Sequence, residues 1–83
     1  MKTVIVEYAY DPPITDAGLA DRTKRLGGCL DNYRIRHIES FVSKDRRSAF
    51  CVLEAADTES VQEGWRSAGV TFGRVWSADR FAS

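Results

Sequence analysis

The chain opens on Lys2–Tyr10, a run of β-branched and aromatic side chains that suits an extended strand. Along it Val4, Val6 and Tyr8 fall on one side, and Ile5 and Glu7 on the other. Asp11-Pro12-Pro13 ends the strand, because proline has no N–H to give to a ladder. Thr15 then stands where a helix N-cap belongs. Leu19, Thr23, Leu26 and Leu30 follow at helical spacing, with Arg22, Lys24 and Arg25 assigned to the other faces. Gly27-Gly28 weakens the last turn and Asp31-Asn32 closes it. Tyr33–Ser43 reads as a second strand, Lys44-Asp45-Arg46 as a turn and Arg47–Ala55 as a third strand. Asp57 or Thr58 caps a second helix with Val61, Trp65 and Ala68 as its inner stripe, and Gly69 fits the position just past its end. Val70–Ser77 is a short fourth strand, and Ala78–Ser83 a tail.

The order β-α-β-β-α-β predicts an α+β fold of the ferredoxin-like kind, a four-stranded antiparallel sheet with both helices on one face. Residues 1–83 form one domain, with a core over about residues 2–77. Pairing Phe41 with Phe50 sets Glu39 opposite Val52 and His37 opposite Glu54, provided the turn is even. Alternation then assigns Val4, Val6, Ile38, Val42, Cys51, Leu53 and Val75 to the helix side. It assigns Ile5, Glu7, Ile35, His37, Glu39, Phe41, Phe50, Val52, Glu54, Arg74 and Trp76 to the open side. That second set is too apolar for a bare wet face. A homodimer whose two open sheets face each other would cover it, enclosing a cavity walled in part by Tyr33 and Trp76.

Composition is that of an ordinary globular domain, 43% hydrophobic and 29% charged, with 12 acids balancing 12 bases, so no net field recruits nucleic acid or a membrane surface. No basic stripe is interleaved with aromatics. No run reaches the roughly 20 apolar residues that span a bilayer, and the first residues do not read as a signal peptide, so a cytoplasmic setting is expected. Cys29 and Cys51 lack metal-type spacing and read as small buried hydrophobes.

Ionisable groups on the open face are the candidate chemistry. His37, Glu39 and Glu54, with Glu7 as a fourth ligand, offer a mixed nitrogen and oxygen set for a first-row divalent cation. Alternatively His37 acts as a general base oriented by Glu54. A third reading is a dimer interface held by Glu–Arg and Glu–His pairs.

Three segments carry a family resemblance: Ile35-Arg36-His37-Ile38-Glu39-Ser40-Phe41-Val42-Ser43, Phe50-Cys51-Val52-Leu53-Glu54-Ala55 and Trp65-Arg66-Ser67-Ala68-Gly69. Together they resemble the DUF4242 family, small proteins with a ferredoxin-like, dimeric α+β-barrel fold. The resemblance implies nickel as the metal. It also marks two departures. Glu39 stands where family members often carry histidine before a Ser-Tyr-Val run, and Gly64 stands where they often carry one in the last helix. The function expected is a small homodimeric binding protein for a divalent metal ion or small ligand in an inter-sheet cavity. Its rivals are a cofactorless isomerase, cyclase or oxygenase acting on a small organic substrate, and a purely structural or regulatory dimer.

Overall fold

A computed structural model describes residues 1–81. The elements are β1 (Lys2–Ala9), α1 (Asp16–Asn32), β2 (Arg36–Val42), β3 (Ser48–Ala55), α2 (Thr58–Ser67) and β4 (Val75–Ala78). The strands form one antiparallel sheet in the order β2-β3-β1-β4. Both helices lie on one side of it, and this is the ferredoxin-like arrangement. Val4, Val6, Leu53, Val61 and Trp65 make its fully buried centre. No helix among the described residues is long and apolar enough to cross a membrane.

The helix starts follow the sequence. Thr15 Oγ1 accepts from the Gly18 N–H at 3.0 Å, and Asp57 Oδ1 accepts from the Ser60 N–H at 2.7 Å. Both are side-chain caps of otherwise orphaned first-turn donors. The helix ends explain why β2 and β4 are shorter than the hydrophobic pattern predicts. After α1 the Ile35 N–H donates to the Leu30 carbonyl (2.8 Å) and the Arg34 N–H to that of Asp31 (3.3 Å). After α2 the Val70 N–H donates to Trp65 (3.0 Å) and the Gly69 N–H to Arg66 (3.1 Å). Each is a Schellman closure, with Arg34 (φ 55°) and Gly69 (φ 72°) at the left-handed position. Residues 33–35 and 70 are therefore spent on closing helices and cannot join the sheet. Beyond α2 the sheet is rejoined at Gly73, whose N–H donates to the Glu7 carbonyl at 2.7 Å. A Cβ there would lie 3.2 Å from that same oxygen, so glycine suits the close approach. Ala78, placed in the tail by the pattern, is the last residue of β4, and Ala82 and Ser83 of that tail lie outside the described residues.

The β2–β3 turn is even. Ser43 and Ser48 pair across it, and Asp45 accepts from the Ser43 hydroxyl (2.6 Å) and the Arg47 N–H (3.1 Å). These bonds hold the Asp45 carboxyl below the usual carboxylate range. Phe41 accordingly faces Phe50, and Glu39 faces Val52. The register then slips: one extra residue, Ile38, sits between Glu39 and His37, so His37 pairs with Leu53 and Arg36 with Glu54. A β-bulge of this kind turns every residue before it to the opposite face.

The slip and the closure of α1 together correct four expectations. His37 lies on the helix side of the sheet, not the open side. Ile38, expected in the core, is the bulged residue and is exposed. Ile35 is buried beneath α2, within reach of Gly64. Tyr33 packs against the core near Gly64 and walls no open-face cavity.

Candidate functional site

On the open face Ile5 sits between Val52 and Trp76 in register and is 9% exposed. Phe41 stacks on Phe50 with ring centroids 5.0 Å apart. Ile5, Glu7, Phe41, Phe50 and Trp76 line a shallow cavity of about 530 Å³. Glu7 is already engaged: the Trp76 indole N–H donates to its Oε2 at 2.6 Å, and Arg74 Nη1 stands 3.9 Å from the same oxygen. Glu54 meets Arg36 at 3.4 Å across the edge pair. Glu39 is exposed beside Val52.

The expected metal set of Glu7, His37, Glu39 and Glu54 is thus split. The three carboxylates share the open face but come from three strands, and His37 is on the far side of the sheet. Among the described residues no group of three or more His, Cys, Asp or Glu side chains is close enough to hold an ion. One subunit therefore does not fit a divalent cation through these four residues. The proposed His37–Glu54 acid–base pair is not formed either, since the imidazole bonds Ser40 and the carboxylate bonds Arg36. Gly64, at the second departure from the DUF4242 pattern, is buried: a Cβ there would come within 2.6 Å of Cys29 Sγ, which leaves no room for an imidazole.

The helix face holds a constellation that alternation did not assemble. His37 Nε2 lies 2.7 Å from Ser40 Oγ, which lies 3.1 Å from Cys51 Sγ. The Cys51 thiol donates to the Tyr8 hydroxyl at 3.7 Å, and the Trp65 indole N–H donates to that hydroxyl at 2.6 Å. Burial, then the neighbouring Cys51 thiol, pushes the Tyr8 phenol well above its ordinary pKa, against a smaller pull from Trp65. Arg22 completes the group. Its guanidinium lies 4.4 Å over the Tyr8 ring, a cation–π distance, and its Nη1 donates to the Tyr10 hydroxyl at 2.6 Å. Cys51 is a packed residue facing the helices, as its parity implies. Cys29 is also buried, which pushes its thiol up. Neither is set up as an activated nucleophile.

A signal for Arg22 was present in the sequence. It stands three residues after Leu19 and four before Leu26, within their stripe. The position of His37 had no such signal, because alternation cannot reveal an inserted residue.

Fold and site together define a small ferredoxin-like α+β protein with an open apolar sheet face and a polar chain threaded under its helices. The sequence profile of the family described as "Nickel responsive protein SCO4226-like" matches residues 5–77, and the chain belongs to that family. The match carries the nickel association but not the DUF4242 label. The crystal structure of SCO4226 from Streptomyces coelicolor A3(2) superposes with a TM-score of 0.84 at 14% identity, covering 96% of this chain and 99% of that one. At that identity the likeness establishes the fold alone. No curated protein matches this chain.

Proposed function

We propose that this protein is a small homodimeric binding protein in which two open sheet faces meet and hold a ligand between them. The apolar character of the helix-free face carries this reading. Phe41 is 49% exposed and Phe50 and Trp76 39% each, all beside Ile5 and Val52. A contiguous aromatic patch on so small a domain is the mark of an interface. A chain this short also gains stability by burying more surface than its own core can supply.

The family's nickel association supports a divalent cation as the ligand. A metal held here draws its donors from Glu39 and Glu54 of both copies, with Glu7 tied down by Trp76, because the described residues of one subunit do not offer three converging groups. Carboxylate oxygens suit harder divalent ions as well as nickel, so selectivity for nickel is modest. His37 takes no part.

Light scattering of the purified protein is expected to give twice the chain mass. Phe41→Asp is expected to halve it, since a charge at the centre of an apolar interface must be desolvated. An unchanged mass for Phe41→Asp would remove the face-to-face dimer. Calorimetric titration with nickel separates the second claim. The double variant Glu39→Gln/Glu54→Gln is expected to abolish the heat while His37→Ala keeps it, and flat heats for the unaltered protein end the nickel reading.

A further inference from the structure

A second cavity, of about 380 Å³, lies on the other side of the sheet, between α1 and the β2 edge. Its walls are mostly aliphatic: Leu19, Leu26 and Leu30 from α1 face Val42 from β2. Its polar groups are few. Arg22 and Thr23 come from the helix, and His37 and Ser40 from the strand. That is the make-up of a small-molecule site, an apolar body with a few polar groups that fix orientation.

Arg22 sets the charge of the occupant. Among the described arginines, Arg25, Arg36, Arg46, Arg47 and Arg74 each have a carboxylate within 4.0 Å, while Arg34, Arg66 and Arg80 are exposed. Arg22 is the one that is half-buried and has no carboxylate at that distance. Its partners are the Tyr8 ring and the Tyr10 hydroxyl, both neutral. A guanidinium removed from water gains from a counter-ion, and its planar fork of donors matches a carboxylate. The bulge at Ile38 supplies the opposite wall, because it brings His37 round to the cavity beside Ser40.

We propose that this cleft binds a small organic monocarboxylate with a compact apolar or aromatic body. The carboxylate pairs with Arg22, the body lies against Leu19, Leu26, Leu30 and Val42, and the His37–Ser40 pair supplies hydrogen bonds at the strand side. The site is independent of the open face and of any metal there. A dianionic phosphate is a poorer fit, with one guanidinium to neutralise it and mostly aliphatic walls.

Benzoate and hexanoate are suitable probes, with benzyl alcohol and hexanol as neutral counterparts of the same bulk. Titrated into the isotopically labelled protein, the two carboxylates are expected to shift amide resonances of α1 and β2 saturably. The alcohols are expected to bind at least about tenfold more weakly, the equivalent of one lost charge-assisted bond. Arg22→Gln is expected to erase that preference for the acid. Leu30→Trp, which fills the cleft and leaves Arg22 in place, is expected to abolish binding of both classes, and it decides the matter if Arg22→Gln does not fold. Absence of saturable shifts, equal binding of acid and alcohol, or full benzoate binding by Leu30→Trp would each overturn the proposal.

Discussion

The two faces of this sheet are built from the same strands and the same alternating pattern, yet they have opposite fates. Beneath the helices Trp65 is 1% exposed and its indole N–H is satisfied by Tyr8. On the open face Trp76 is 39% exposed and its indole N–H is satisfied by Glu7. Both tryptophans obey the rule that a buried or half-buried donor finds a partner. The partner tells the faces apart. Under the helices the indole meets a buried phenol, whereas on the open face it meets a partly exposed carboxylate. The helices cover one face, and the other keeps Phe41, Phe50 and Trp76 in the open.

Truncating each tryptophan breaks the comparison most sharply. Trp65→Ala is expected to cost about 3–5 kcal/mol, enough to unfold much of a marginal domain, as read from urea denaturation. Trp76→Ala is expected to cost less in dilute protein. Its penalty should grow with concentration wherever the dimer forms, since association stabilises only the folded chain. A concentration-independent penalty for Trp76→Ala would argue against an interface there.

A smaller loss is expected from packing on the helix side. Gly64→Ala forces a Cβ against Cys29 Sγ. It should cost about 1–3 kcal/mol, the usual range for overpacking. Cys29→Ala in the same chain should recover part of that loss, and additive costs would show that the two sites do not touch.

Titration sharpens the contrast further. The folded state raises the Tyr8 pKa, so its contribution to stability is complete below the ordinary tyrosine value of about 10 and is lost as pH climbs from there toward the raised one. Stability of the unaltered chain should therefore fall more steeply above that pH than stability of Tyr8→Phe. Identical alkaline limbs would contradict the buried phenol. The smallest effect is expected at Asp57, whose carboxyl is held below the usual range by the Ser60 N–H and then the Ser60 hydroxyl. Its contribution is present above the ordinary carboxylate pKa and is lost as pH falls through the lowered one. Asp57→Asn, still a helix cap, should flatten that acid limb with little change near neutrality.

The element order, the Thr15 cap, the Phe41–Phe50 pairing and the inner stripe of α2 were legible because each is written locally, and of the two candidates for the second cap, Asp57 and Thr58, it is Asp57 that caps. Capping residues sit beside their helices, and apolar side chains recur at the period of the element they belong to. Of the candidate site, the half on Phe41, Phe50, Val52 and Trp76 was legible for the same reason. The other half hinged on Ile38. An inserted residue leaves the pattern of apolar and polar letters intact on either side of itself, so His37 and Ile35 read as open-face residues while the backbone sends them to the helix side, His37 exposed at its edge and Ile35 buried. Arg34 hid the start of β2 in a similar way, so that residues 33–35 read as strand. A left-handed position filled by arginine instead of glycine gives no punctuation, whereas Gly69 announced the end of α2.

Ile38 has one more effect, on the free edge of the sheet. β2 is an outer strand, and an unbroken outer strand offers a row of free amides and carbonyls onto which another chain can hydrogen-bond without limit. The kink at Ile38 spoils that template midway along the strand, and Arg36 and Glu39 flank it with charge. Growth sideways into ribbons is thereby discouraged.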